Sequence, residues 1–190
     1  MSKKILICGD SFSAPCTDDF AWTNLIKQDF KVTNLSQRGC SEYKIYKQLL
    51  SQDIRKYDYI IVSHTSPYRL HTTENPIHIN NQSHTESCFI YNDVKEHANT
   101  NKELVPLVNF FEKYFDLEYA EHIHNLILKD IEKLCPNNTL HLSHLEWKNL
   151  YRFSNHIDFN NVFLNHRGIA NHYDNEGNKV VYNTIKERLS

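Results

Sequence analysis

The sequence predicts an α/β protein with a parallel sheet and helices on both faces. Two runs anchor this reading. Ile5-Leu6-Ile7-Cys8 is short, apolar, rich in β-branched residues and stopped by Gly9, the pattern of a buried strand. Tyr59-Ile60-Ile61-Val62 is a second such run, and Pro67 limits its extension. Between them the pattern alternates strand, helix, strand, helix, strand. That order implies right-handed crossovers between parallel strands.

The elements follow in turn. Residues 20–30 suit a helix with Phe20, Trp22, Leu25 and Ile26 on its apolar side and Asp18 or Asp19 as cap. Val32 to Leu35 suits a second strand. In 41–57, Tyr43, Tyr46, Leu50 and Ile54 recur near helical spacing behind a capping Ser41, which places Trp22 and Tyr43 in the core. Residues 69–101 break the pattern. They are polar and rich in His and Asn, and read as a long, insertion-like excursion from the compact core. Helical pattern returns over 102–114 and 118–135. Thr139 to Ser143 suits another core strand, residues 144–172 carry no clear pattern, and the C-terminal segment suits a helix with Val180, Val181, Ile185 and Leu189 inward.

At 190 residues the chain reads as one domain, 1–190, long enough to bury a core without metals or disulfides. Its net charge of -2 comes from 21 basic and 23 acidic residues that are interspersed, with no basic stripe for nucleic acid or an anionic membrane. Five cysteines with no CxxC pair point to free thiols in a reducing compartment, hence a cytoplasmic setting. The N-terminal apolar run is too short for a secretion signal, and no stretch approaches a membrane span.

Ligands of open parallel sheets sit beyond the carboxyl ends of the strands. Four segments arrive there: Gly9-Asp10-Ser11, Gly39-Cys40-Ser41, Ser63-His64-Thr65-Ser66, and His144. Ser11 is then placed as a nucleophile. A hydroxyl needs an adjacent base, and histidine suits that role near neutral pH. The backbone N–H groups of Ser11 and Gly39 are candidate oxyanion donors. Gly-Asp-Ser is also an ordinary turn composition, in which Ser11 would only cap. Both readings stand at this level. His64, His141 and His144 are candidate metal ligands, but their spacing does not demand a metal. The turn lacks the Gly-x-Gly-x-x-Gly run of a dinucleotide site, so no metal or cofactor is expected.

ILICGDSF, VTNLSQRGCSEYKI and HYDNEGNKVV resemble three of the conserved blocks of the SGNH/GDSL hydrolase superfamily. The resemblance implies a three-layer α/β/α, flavodoxin-like open sheet of about five mainly parallel strands. It implies a serine-dependent hydrolase of carboxylic esters, with Ser11 as nucleophile and oxyanion donor, Gly39 as second donor and His172 as base. An acyltransferase or a non-catalytic binding protein on the same scaffold are the alternatives. The expected substrate is a small-molecule or carbohydrate ester carrying a small acyl group.

Three departures shape the site. The Gly-x-Asn-Asp block is replaced by IVSHTSPYRL, leaving Thr65, Ser66 or His64 for the third oxyanion donor. The acid normally three residues before the histidine is replaced by Ile169, leaving Asp158 and Asp174 as alternative partners. Glu42 stands where many family members have Asn, with an expected effect on how the second loop is pinned. Asp10, His64, Arg69 and His144 are read as substrate contacts, Arg69 toward an anionic group.

Overall fold

The computed structural model describes residues 2–77, 86–146, 151–169 and 172–189. Its strands are β1 (Lys4–Gly9), β2 (Lys31–Asn34), β3 (Tyr59–Ser63), β4 (Leu70–Thr72), β5 (Ser87–Phe89), β6 (Thr139–Ser143) and β7 (His156–Asp158). Its helices are α1 (Trp22–Leu25), α2 (Glu42–Leu50), α3 (Tyr91–His97), α4 (Val105–Lys113), α5 (Leu117–Leu134), α6 (Asn160–Asn165) and α7 (Asn175–Leu189). Five strands form one sheet in the order β2-β1-β3-β6-β7, and every pairing in it is parallel. This is the flavodoxin-like order that the alternating pattern and the family resemblance imply.

Strand alternation divides the core in two. Ile5 and Ile7 pack on one face with Trp22, Ile26, Val181 and Ile185. Leu6 and Cys8 pack on the other with Ile45, Leu49 and Ile131. The sheet is therefore covered by α1 and α7 on one side and by α2 and α5 on the other. No helix among the described residues is long and apolar enough to cross a membrane.

Several sequence expectations are corrected. The helix expected over 20–30 is one α turn continued by a 3-10 turn, Ile26–Gln28, with Phe20 left outside. Its Ala21 cap contributes no side-chain bond; Asp18 instead accepts the Phe20 N–H. In α2, Ser41 does cap the helix, accepting from the Lys44 N–H, but the buried face is shifted. Tyr43 is 44% exposed and Leu50 54%, while Glu42, Ile45, Gln48 and Leu49 face inward. An apolar count could not foresee this, because two of the inward residues are polar. Val180 likewise turns outward in α7.

The excursion over 69–101 is more than a polar loop. β4 pairs antiparallel with β5, and α3 follows. With α4 these segments enclose a satellite core of Val94, Ala98, Leu104 and Phe111. Residues 78–85 of the excursion lie outside the described residues. Glu86 ties the hairpin to α2 through Lys44 (2.9 Å) and Lys47.

Gln48 explains part of the α2 phase. Its Oε1 accepts the Gly9 N–H (2.8 Å) and its Nε2 donates to the Gly9 carbonyl (3.2 Å), so a side-chain amide acts as the missing strand at the end of β1. Gly9 itself is closely packed: a Cβ there would lie 2.3 Å from Ser13 Oγ and 2.6 Å from Ser63 Cβ. Gln48→Leu orphans the buried Gly9 N–H. It is expected to lower unfolding free energy by about 1–3 kcal/mol, read as a drop in the urea midpoint at constant slope.

Candidate active site

β1 ends in a tight turn that carries Ser11. The Ser13 N–H donates to the Asp10 carbonyl (3.2 Å), closing the turn, and the Phe12 N–H donates to Asp10 Oδ1 (3.0 Å). Ser13 Oγ donates to Ser36 Oγ (2.9 Å) and Asn34 Nδ2 to the Ser13 carbonyl (2.8 Å), fastening the turn to the end of β2. Ser11 is left half-buried on the wall of a broad cleft of about 2090 Å³.

Asp10 lies beneath this turn and is fully buried. Its Oδ2 accepts from Thr65 Oγ1 (2.8 Å) and lies 3.3 Å from Arg69 Nη2. Burial pushes the Asp10 carboxyl up, against the pull of Arg69 and of these donors. Arg69 also donates through Nη1 to the Cys40 carbonyl (3.2 Å). One guanidinium thus joins the Ser11 turn to the Gly39 loop. Arg69, read from the sequence as a contact for an anionic substrate group, lines the cleft and is the counter-ion of Asp10. Asp10 itself is a structural anion and not a substrate contact.

Gly39 adopts φ 63°, a left-handed conformation that favours glycine. Its carbonyl accepts from the Cys88 N–H and from Ser87 Oγ, both at 2.8 Å, which turns the peptide and sets Gly39 on the cleft wall. Among the described residues, neither the Ser11 N–H nor the Gly39 N–H has a hydrogen-bond partner.

The third loop resolves one alternative. Thr65 is buried, its hydroxyl donates to Asp10 and its N–H donates to Glu42 Oε2 (3.0 Å). Thr65 is therefore withdrawn as an oxyanion donor. Ser66 lines the cleft and takes that candidacy. His64 is also corrected: it is buried away from the cleft, with Nδ1 2.7 Å from Glu42 Oε1 and Nε2 2.9 Å from His141 Nδ1. Glu42 thus pins the third loop, where the sequence suggested the second. Burial raises the Glu42 pKa to about 7 and lowers those of His64 and His141 to about 3 and about 2, so both rings stay neutral.

His172 sits on a tight loop before α7. The Gly168 N–H donates to the His172 carbonyl (2.7 Å), and the Asp174 N–H to the His166 carbonyl (2.9 Å). A Cβ at Gly168 would meet the Tyr173 carbonyl oxygen at 2.7 Å, so the loop needs glycine there. The His172 ring lies 5.3 Å from that of Phe12, the neighbour of Ser11, and lines the same cleft. No hydrogen bond joins Ser11 Oγ to His172. Nor does either suggested acid reach the ring. Asp174 Oδ1 accepts the Gly177 N–H (2.7 Å) and lies 3.4 Å from His166 Nδ1, as a helix cap. Asp158 Oδ1 accepts from the Asn160 N–H (2.8 Å) and from Ser143 Oγ (3.4 Å).

What holds the histidine loop is a neutral network that the sequence did not reveal. His144 is fully buried, and burial lowers its pKa to about 3. It is no substrate contact. Its Nε2 meets Ser63 Oγ (2.9 Å), its Nδ1 meets the Tyr173 hydroxyl (2.6 Å), and its ring stacks on Phe12 at 4.6 Å. Asn178 adds a second tie: Oδ1 accepts the Trp22 N–H (3.0 Å) and Nδ2 donates to the Asp174 carbonyl (3.0 Å). The only advance sign of these roles was position, Tyr173 and Asn178 lying next to or just after His172. Among the described residues, no group of three His, Cys, Asp or Glu could hold a metal ion. All five cysteines are free.

No protein-family model matches this sequence, and no curated protein matches it significantly. Solved structures do match in three dimensions. The lipase Lip_vut3 from a goat rumen metagenome superposes with a TM-score of 0.51 at 11% identity, covering 98% of this chain and 97% of that one. The psychrotrophic esterase EstA from Pseudoalteromonas sp. gives 0.49 at 12% identity, covering 98% and 96%. The likeness to Lip_vut3 is one of overall fold. On this fold, Ser11, Gly39, Ser66 and His172 come from four separate loops and line one cleft.

Glu42 offers a pH test of the network beneath the site. A carboxyl with a folded pKa near 7 and an ordinary value of 4.5 stabilises the fold most below 4.5. That contribution is lost as pH rises toward about 7, because the unfolded chain ionises first. Glu42→Gln removes the titration. Relative to the parent, the variant is expected to gain up to about 3 kcal/mol between pH 4.5 and 7 and then level off, measured by urea unfolding across pH.

Proposed function

We propose that the protein is a serine-dependent hydrolase of carboxylic esters. The observation that carries this reading is that Ser11, Gly39, Ser66 and His172 line one cleft, with the N–H groups of Ser11 and Gly39 unengaged among the described residues. In the proposed reaction Ser11 Oγ attacks the ester carbonyl and passes its proton to His172. The carbonyl oxygen becomes an oxyanion held by the Ser11 and Gly39 N–H groups and the Ser66 hydroxyl. Collapse expels the alcohol, which takes the proton from His172. Water, deprotonated by His172, then releases the acid from the acyl-enzyme.

Ser11 and His172 are not hydrogen-bonded in the free protein. Catalytic hydrogen bonds are often long before substrate binds. The cleft also presents Arg38, Asp93, Glu96 and Arg167, which suits a polar alcohol portion such as a carbohydrate. Free cysteines support a reducing, cytoplasmic setting.

The lack of a carboxylate on His172 favours one second reading, a binding protein on the same scaffold. Turnover of an activated aryl ester separates the two. The hydrolase reading expects saturable turnover that falls at least about 10³-fold in Ser11→Ala and in His172→Ala, and about 10- to 100-fold in Ser66→Ala. Turnover equal in parent and Ser11→Ala would leave the binding reading.

A further inference from the structure

A second pocket of about 340 Å³ lies between α2, α5 and the segment after β3. Its volume is at the lower end of the range for small-ligand sites. It shares Ser66, Arg69 and Phe115 with the main cleft, so the two meet at the third loop of the proposed oxyanion site.

The walls of this pocket are mostly apolar, with Leu70, Ala120, Ile123 and Ile127 along α5 and β4. Tyr43 and Tyr119 form its exposed lips. The polar groups at its floor are engaged within the protein. Glu42 accepts the Thr65 N–H and pairs with His64, and Ser41 Oγ meets His71 Nδ1 at 2.9 Å. A ligand here gains by covering apolar surface rather than by answering a buried charge. Arg69 Nε, also on this wall, is buried and has no hydrogen-bond partner among the described residues. Arg69 stands on both walls, where Nε could donate to an oxygen at the junction.

We infer that this pocket receives the acyl chain of the substrate, and that the chain is an unbranched aliphatic one longer than acetyl. The inference rests on the ester-hydrolase reading. An ester whose carbonyl lies at Ser11 and Ser66 would direct its acyl part past Arg69 into the pocket and leave its alcohol part in the broad cleft. The acetyl-sized group expected from the sequence would leave this apolar space unfilled.

Chain-length selectivity tests the inference. With 4-nitrophenyl acetate, butyrate and hexanoate, kcat/KM is expected to rise about threefold to fourfold for each added methylene. Ala120→Trp fills the pocket and should pull the hexanoate-to-acetate ratio down toward one. Leu126→Trp, on the exposed side of the same helix, should keep the parental ratio. A flat or falling series in the parent, or an unchanged ratio in Ala120→Trp, overturns the inference. A binding arm does not depend on turnover. 1-Hexanol should bind saturably to the parent by calorimetry and at least tenfold more weakly to Ala120→Trp. Absence of that binding overturns the pocket assignment. Binding that is present without any ester turnover supports the pocket and counts against the hydrolase reading alone.

Discussion

Much of the site depends on one buried anion. Asp10 is buried, and an isolated carboxylate there would cost several kcal/mol. Its position is kept by Arg69, by Thr65 and by the Phe12 N–H. These partners come from separate stretches of chain, and Arg69 goes on to hold the Cys40 carbonyl. The Ser11 turn, the Gly39 loop and the third loop are thus tied to one another through a single charge pair. Removing one member of such a pair costs more than the pair contributes, because the other is left buried alone. The motif's aspartate is accordingly structural, and the adjacent serine is left facing the cleft.

The sheet was legible because its strands are buried on both faces and so read as continuous apolar runs. Ile5 to Cys8, Tyr59 to Val62 and Thr139 to Ser143 all form where their patterns place them. The helices were less legible wherever the core admits polar residues. Glu42 and Gln48 face inward to satisfy backbone groups of β1 and of the third loop, which set α2 about its axis in a way that apolar spacing cannot encode. β7 was missed because it is a three-residue edge strand with little apolar content, His156–Asp158. The motif residues Ser11, Gly39 and His172 reach the cleft from the turns that carried their signal. Choosing between Thr65 and Ser66 needed the fold, because only contacts distant in sequence show that the Thr65 hydroxyl is engaged by Asp10.

The histidine loop is held without a carboxylate at the position where the resemblance expects one. Ile169 stands there, 93% exposed, and among the described residues Asp158 and Asp174 are engaged elsewhere. In its place the loop is fixed through its backbone by Gly168 and Asn178, and through Tyr173 by the neutral His144. A neutral support of this kind holds position but does not stabilise an imidazolium as a carboxylate would. In the proposed reaction the base would work with less electrostatic help, and the Ser11 and Gly39 N–H groups would carry more of the transition-state stabilisation. That makes the reactivity of Ser11 the central question.

The most direct measurement is labelling with a fluorophosphonate probe, followed by intact mass and peptide mapping. The account predicts one adduct per chain, located on Ser11, absent from Ser11→Ala and forming more slowly in His172→Ala. A folded parent protein that acquires no adduct, or acquires it at a residue other than Ser11, would contradict it.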